Sequence, residues 1–172
     1  QGKQTQKVLA FYKPVGVTCT ERDPHAEKKI MDMIRYPERL TYAGRLDKDS
    51  EGLILLTNDG DLINAMMRGA NRHEKEYIVK TDREITPDFL EKMAKGIYLK
   101  DLDITTRECE IEQIGKFTFR IVLTQGVNRQ IRRMCEACGY RVKALKRIRI
   151  MNILLGDLKP GKWREITGEE LE

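Results

Sequence analysis

The chain has 172 residues, of which 34% are charged and 40% hydrophobic, and its formal net charge is +5. This length suits one domain that can bury a core. No apolar run approaches the roughly 20 residues of a membrane helix, and the polar first residues lack the apolar stretch of a signal peptide. The composition therefore argues against a membrane protein and predicts a cytoplasmic one.

The first half of the chain alternates short strands and helices. Residues 8–12 form a predicted strand that ends at a turn containing Pro and Gly. A short helix is predicted next, and the apolar run 53–56 has the length of a buried strand. The helices are predicted at 26–35 and 61–68, and a further strand is predicted at 73–80.

The second half continues the alternation. Thr86 and Pro87 together predict a capped helix start, and Gly96 predicts where that helix ends. The remaining elements are predicted at 105–114 (strand), 117–124 (strand), 129–138 (helix), 140–150 (strand) and 163–167 (strand). The whole pattern predicts an α+β fold, with a mostly antiparallel sheet and helices on one side.

Basic residues are concentrated near the C-terminus. Between Gly126 and Arg164 there are eleven Lys or Arg and two acids, a net +9 in a chain whose total is +5. Such asymmetry predicts a polyanionic partner, and nucleic acid is the first candidate. A solvated basic face is the alternative interpretation.

Two cysteines in this segment have metal-like spacing. Cys135 and Cys138 form a C-x-x-C pair, but a zinc site requires a second matching pair. On a helix both cysteines share an apolar face with Ile131 and Met134. Core packing is the predicted role, and no metal is expected.

Acidic residues cluster before the apolar run 53–56. From Asp47 the spacing begins like a calcium loop, but Asn58 stands where such a loop requires a bidentate Glu, and no helical pattern precedes it. A solvated acidic turn containing Asp47, Asp49 and Glu51 is the simpler alternative on chemistry alone.

A resemblance changes that interpretation. Tyr42-Ala43-Gly44-Arg45-Leu46-Asp47, followed by Ser50-Glu51-Gly52-Leu53, resembles the G-R-L-D motif of pseudouridine synthases that modify single sites in bacterial ribosomal RNA. Lys13-Pro14-Val15-Gly16, Glu74-Lys75-Glu76-Tyr77 and Gly126-Val127-Asn128-Arg129-Gln130-Ile131-Arg132-Arg133-Met134 match further family motifs in the family's order. The residues of these motifs are most similar to those of the F-type synthases of large-subunit (23S) rRNA.

The resemblance implies that the chain isomerises a uridine of 23S rRNA to pseudouridine, and a tRNA is a second candidate target. Asp47 would be the nucleophile, acting at C1′ or as a base at C2′. Tyr77 would stack on the uracil, and Arg132 would pair with Asp47. Arg45 would fill the space left by the flipped base.

Further contacts are expected around that site. The basic residues expected to contact RNA phosphates are Arg129, Arg133, Lys146, Arg147 and Arg149. The apolar residue beneath the uracil is left open between Leu145 and Ile148. The reaction needs no redox change and no energy input, so neither a cofactor nor a metal is implied.

The family's catalytic domain is a long mixed sheet flanked by helices, with the active cleft across its middle. Residues 1–172 correspond to that domain, without the S4 RNA-binding domain that usually precedes it in relatives. A monomer acting on RNA is expected. The competing hypotheses are a non-catalytic RNA-binding or ribosome-assembly module that uses the basic face, and a nucleoside hydrolase with Asp49 as general acid.

Overall fold

The computed structural model describes residues 6–19, 33–34, 36–66, 74–167 and 170. Eleven strands and three helices lie within these ranges. The strands are β1 (Val8–Lys13), β2 (Thr41–Ala43), β3 (Glu51–Thr57), β4 (Lys75–Thr81), β5 (Tyr98–Leu99), β6 (Ile104–Thr105), β7 (Glu110–Gly115), β8 (Thr118–Leu123), β9 (Val142–Ile150), β10 (Ile153–Leu154) and β11 (Trp163–Glu165). The helices are α1 (Gly60–Met66), α2 (Pro87–Lys95) and α3 (Gln130–Ala137).

One large sheet organises the molecule. Its seven main strands follow the order β11-β1-β3-β9-β4-β8-β7, while β2 pairs with β3 and β10 pairs with β9. The pairing of β3 with β9 is parallel and the other pairs are antiparallel. The predicted mixed, mostly antiparallel sheet is therefore confirmed, and its parallel junction lies at the middle of the order.

Strand β3 is buried because both of its faces are covered. Leu53 and Leu55 pack into one apolar cluster with Tyr12, whereas Ile54 and Leu56 pack into another with Phe11, as the two-residue period of a strand requires. All four side chains of the run are at most 1% exposed. This rigid strand carries the loop that precedes it.

A third apolar cluster lies under the C-terminal half of the sheet. Helices α2 and α3 contribute Met93, Met134 and Cys135, which pack against Val79 and Phe119 of the sheet. Cys135 is fully buried and Cys138 packs against the same cluster, so the predicted core role of the C-x-x-C pair is confirmed.

The predicted start of α2 is also confirmed. The Thr86 hydroxyl accepts a hydrogen bond from the Phe89 backbone N–H at 3.1 Å, and Pro87 occupies the first helical position. Gly96 ends the helix with φ at 110°. The helix start could be predicted from the sequence because the Thr86 hydroxyl and the Pro87 ring act on the adjacent backbone only.

The strand predicted over 105–114 is wrong in its first part. Residues 104–105 belong to the β5–β6 hairpin, and β7 begins only at Glu110. Thr106 exchanges hydrogen bonds with Ile97, and the Cys109 N–H donates to Ala94 at the end of α2, which diverts the chain between the two strands. The helix predicted over 26–35 lies almost wholly outside the described residues, as do His73 and the end of the helix predicted over 61–68.

Candidate active site

A cleft of about 600 Å³ opens beside the junction of β3, β9 and β4. This volume is within the range of about 300–1,000 Å³ common for small-molecule sites. Its walls come from the loop before β3, from β4, from the segment leading into α3 and from β9. The predicted site residues that line it are Arg45, Asp47, Tyr77, Arg129, Arg132 and Arg147.

The loop that carries Asp47 joins β2 to β3 and rests on the turn after β1. Lys13 is fully buried, and its ammonium group donates to the carbonyls of Pro14 and Val17 at 2.7 Å and of Lys48 at 3.4 Å. The Gly16 N–H donates to the same Lys48 carbonyl at 2.7 Å. Burial lowers the pKa of Lys13 to about 8. The Lys-Pro-x-Gly turn therefore supports the residue that follows Asp47.

Arg147 holds the same loop from the opposite side. Its side chain is 2% exposed, and its guanidinium donates to the Leu53 carbonyl at 2.9 Å and to the Gly44 carbonyl. These contacts give Arg147 a structural role in addition to its predicted phosphate contact, since two of its donors are directed to these carbonyls. The basic side chain ties the residues before and after Asp47 to β9.

Asp47 is paired with a different arginine from the one predicted. Arg129 Nη1 lies 3.2 Å from Asp47 Oδ2, and the same guanidinium makes two hydrogen bonds to Asp49 at 3.1 and 3.0 Å. Arg132 instead donates through Nη2 to the Asp49 carbonyl at 3.0 Å and to the Ser50 hydroxyl at 3.1 Å. Its carboxylate partner is Asp49 at 3.5 Å.

Asp47 pairs with Arg129 and not with Arg132 because of where each arginine lies relative to α3. Arg129 directly precedes α3 in a left-handed conformation with φ at 51°, three residues before Arg132. Residues three apart share one side of a helix, so both arginines reach the Asp47 loop. Arg132 is the more buried, with 12% of its side chain exposed, and its Nε has no hydrogen-bond partner within the described residues.

Opposite charges balance at this point of the cleft. The Arg129 hydrogen bonds hold the pKa of Asp49 below its usual value, and the Arg132 charge acts in the same direction. Asp49 in turn raises the pKa of Arg129. The sequence suggested for Asp49 either a solvated acidic turn or a hydrolase acid, because nothing in the local pattern indicates that two arginines from residues 129–132 converge on it.

Strand β4 forms the facing wall. Lys75 and Tyr77 are two residues apart, which places both on one side of the strand, and both line the cleft. Burial lowers the pKa of Lys75, and the charge of Arg147 lowers it further. Leu145 also lines the cleft, whereas Ile148 packs against a core cluster on β1 and β3. Sequence reasoning gave Lys75 no role.

The other predicted RNA contacts differ in their availability. Arg45 is exposed at the cleft, 6.0 Å from the centre of the Tyr42 ring. Arg133 bonds to the Asn128 carbonyl at 2.9 Å, and Lys146 lies 5.8 Å from the centre of the Tyr12 ring. The side chains of Arg45, Arg133 and Lys146 all remain at least partly accessible to solvent.

Arg149 is engaged by acceptors of the protein itself. Its guanidinium forms ion pairs with Glu76 at 2.7 Å and Glu74 at 3.1 Å, and it donates to the Met151 carbonyl at 2.7 Å. A phosphate contact of Arg149 stays a prediction, and it would have to compete with these acceptors. Arg149 links β9 to Glu76 of β4 and to Glu74, which directly precedes β4.

Within the described residues, no three His, Cys, Asp or Glu side chains lie close enough together to hold a metal ion. None of the helices found there is long and apolar enough to cross a bilayer.

The sequence family described as RNA pseudouridylate synthase matches residues 7–137. This stretch is more than half of the chain and includes the Asp47 loop, Tyr77 and the helix that carries Arg132. The chain belongs to the RNA pseudouridylate synthase family. The resemblance drawn from its motifs is therefore confirmed.

Individual relatives agree. The Escherichia coli protein named dual-specificity RNA pseudouridine synthase RluF is 47% identical over 164 residues, which are 95% of this chain and 56% of that protein. The Vibrio cholerae protein named ribosomal large subunit pseudouridine synthase B is 35% identical, over 93% of this chain and 51% of that protein. The chain thus spans little more than half the length of these relatives.

A solved structure described as "Crystal structure of pseudouridylate synthase" superposes with a TM-score of 0.88. It is 28% identical, and the match covers 98% of this chain and 74% of the other. The predicted α+β synthase fold is confirmed by this match.

Proposed function

We propose that this chain is the catalytic domain of an RNA pseudouridine synthase that isomerises a uridine of 23S rRNA, with a tRNA as a second candidate target. The observation that carries the proposal is the cleft in which the Asp47 carboxylate meets Arg129 on one side and faces the β4 wall with Tyr77 on the other. Family membership supports the reaction class, and the names of the relatives support the kind of substrate.

Asp47 is the proposed reactive group. It acts on the ribose, at C1′ as a nucleophile or at C2′ as a base, and the N1–C1′ bond breaks with its electron pair leaving on the uracil. The uracil then turns and rejoins the ribose through C5, which releases its proton. Arg129 orients the Asp47 carboxylate, because a guanidinium nitrogen at 3.2 Å fixes one of its two oxygens.

The freed ring needs surfaces on both sides. Tyr77 supplies an aromatic face from β4, and Leu145 supplies a buried apolar side chain from β9. Arg132 contributes positive charge at the helix side of the cleft. We assign Tyr77 and Arg132 catalytic roles on these positions together with their motif matches.

Base extrusion requires a residue that enters the vacated space, and the exposed Arg45 beside the Asp47 loop is our candidate. Flipping costs a few kcal/mol, which phosphate contacts of the basic residues offset. Arg129, Arg133 and Lys146 remain proposed RNA contacts, with Arg129 also serving Asp47. The enzyme is proposed to be a cytoplasmic monomer that requires neither cofactor nor metal.

The test uses large-subunit rRNA that lacks pseudouridine. We expect the wild-type chain to form pseudouridine at one site, mapped by carbodiimide modification and reverse transcription, in the presence of EDTA. Asp47→Asn should form none while its RNA affinity is retained. Asp157→Asn removes an exposed carboxylate outside the cleft and should behave like the wild type.

Three outcomes would contradict the proposal. Pseudouridine formed by Asp47→Asn would remove Asp47 from the chemistry. RNA binding without any product from the wild type would favour the non-catalytic binding module. Release of free uracil, measured by chromatography, would favour the hydrolase.

A further inference from the structure

Asp49 lies beside two arginines that line the cleft, Arg129 and Arg132, although it is not itself a lining residue. Its carboxylate accepts two hydrogen bonds from Arg129, at 3.1 and 3.0 Å, and its Oδ1 lies 3.5 Å from Arg132 Nη2. Its backbone carbonyl accepts a second contact from Arg132 at 3.0 Å. No role in the reaction proposed above has been assigned to this residue.

The orientation of the Arg129 guanidinium is set by Asp49 more than by Asp47. The two-point contact with Asp49 fixes the plane of the guanidinium, as paired hydrogen bonds between arginine and a carboxylate do. Nη1 is shared, because it lies 3.1 Å from Asp49 Oδ1 and 3.2 Å from Asp47 Oδ2. Asp47 therefore contacts one nitrogen of the Arg129 guanidinium, whose orientation is fixed by the Asp49 carboxylate.

Charge balance gives this arrangement a consequence. Two carboxylates, Asp47 and Asp49, share two arginines from the start of α3. Without the Asp49 carboxylate, the Arg129 guanidinium could turn and bind both oxygens of Asp47, and each hydrogen bond on those oxygens would have to break before the carboxylate could react. An over-paired carboxylate is a weaker nucleophile and a weaker base.

We propose that Asp49 is a positioning residue: its carboxylate fixes the Arg129 guanidinium so that one nitrogen orients Asp47. This inference rests on the proposed function, since it concerns the reactivity of Asp47. It differs from the family assignment of Arg132 as the partner of the nucleophile.

Asp49 is suited to mutation because the loop does not depend on it for its fold. About half of its side chain is exposed, at 52%. Lys13 and Arg147 bind the loop through backbone carbonyls, and the Ser50 N–H donates to the Asp47 carbonyl at 3.1 Å. These contacts remain when the Asp49 carboxylate is removed.

The kinetic test compares Asp49→Asn and Asp49→Glu with the wild type under single-turnover conditions. We expect Asp49→Asn to slow pseudouridine formation, by up to roughly 100-fold, because a small misplacement of a reacting group can cost that much. RNA affinity should stay within about twofold, and Asp49→Glu should recover part of the rate because it restores the charge. Asp157→Asn serves as the control for a lost carboxylate.

A double-mutant cycle tests whether Asp49 acts through Arg129. We expect Asp49→Asn to have little further effect in an Arg129→Gln background, because the group that it positions is already absent. Multiplicative rate losses in the double variant would overturn the proposal, as would an unchanged rate in Asp49→Asn.

A measurement without RNA separates this inference from the proposed function. In arginine side-chain NMR, the Arg129 guanidinium should be ordered in the wild type and in Asp49→Glu, and mobile or displaced in Asp49→Asn. An Arg129 that stays equally ordered in Asp49→Asn would overturn the positioning role. A wild type that forms no pseudouridine would overturn the proposed function, while the NMR result would still decide the arrangement.

Discussion

Gly52 lies opposite Arg147 in the parallel pairing of β3 with β9, and no side chain fits between them. A Cβ atom on Gly52 would lie 2.3 Å from the Arg147 carbonyl oxygen and 2.6 Å from its backbone nitrogen. The φ of Gly52 is +119°, a conformation that residues with a side chain rarely adopt. This close approach brings the Asp47 loop against the strand that supports it.

We expect Gly52→Ala to be strongly destabilising, because the obstructing atoms belong to the backbone of a central strand and cannot move aside. The loss in the free energy of unfolding should exceed the roughly 1 kcal/mol typical of a point mutation. Urea unfolding followed by circular dichroism measures it. Gly126→Ala is the control, since nothing lies within 4 Å of its Cβ position. Equal stability of the two variants would contradict the close approach.

Arg147→Met tests the buried guanidinium. The substitution keeps an unbranched side chain but leaves the carbonyls of Leu53 and Gly44 without this donor. A buried polar group that loses its partner costs about 1–3 kcal/mol, so we expect the free energy of unfolding to fall by at least that amount.

Lys143→Met is the matched control for this prediction. Lys143 is exposed on the same strand, so its loss should change the stability by only about 0.5 kcal/mol. The salt dependence of RNA binding should be the same in Arg147→Met and the wild type. A reduced slope would show that Arg147 contacts phosphate after all.

Arg45 and Arg149 should respond differently in an RNA-binding titration. Each phosphate contact contributes about 0.7 to the slope of log affinity against log salt concentration for a single strand. We expect Arg45→Gln to reduce that slope by up to this amount, since a cation that is exposed at the cleft and enters the RNA also displaces counterions from the neighbouring phosphates. Arg149→Gln should leave it unchanged, because Glu74 and Glu76 already bind the guanidinium.

Fluorescence anisotropy with a labelled rRNA fragment measures both slopes. Thermal unfolding of each variant controls for loss of structure, which matters most for Arg149→Gln because its ion pairs join two strands. An equal reduction of the slope in both variants would mean that the ion pairs of Arg149 open when RNA binds.

The stability of the protein should fall in alkaline solution because of its buried thiols. Burial raises the pKa of Cys135 to about 12 and that of Cys109 to about 11. A raised folded pKa gives stability that is fully present below the unfolded pKa and is lost as the pH rises through the folded value. We expect the free energy of unfolding to decline above about pH 8.5, the ordinary thiol pKa, and less steeply in Cys135→Ala.

Urea unfolding at a series of pH values, with a reducing agent present, measures that slope. Met134→Ala opens a cavity in the same core without removing a thiol, so it should lower the stability at every pH and keep the wild-type slope. Identical slopes in Cys135→Ala and the wild type would show that this thiol is not kept protonated by the fold.

Much of the fold could be read from local signals. The strand at 53–56, the start of α2 at Thr86 and the apolar face of α3 follow from patterns within ten residues, and all three are confirmed. The strand predicted over 105–114 is wrong in its first part because Cys109 bonds to Ala94 at the end of α2 and Thr106 bonds to Ile97 just beyond that helix, contacts that no pattern in the segment reveals.

The sequence motifs pointed to Asp47, Tyr77 and two arginines, one before and one within α3, all of which line the cleft. This was possible because residue type and spacing can be read directly from the sequence. The charge partners of these residues could not be obtained in this way. Arg129 reaches Asp49 across 80 residues, and Arg149 reaches Glu74 across 75. An arginine is equally suited to a phosphate, a carboxylate or a carbonyl, so its role depends on which acceptor the folded chain places within about 3 Å. Local chemistry therefore specified which groups are present in the site, and the long-range pairing of β3, β9 and β4 specified which of them meet.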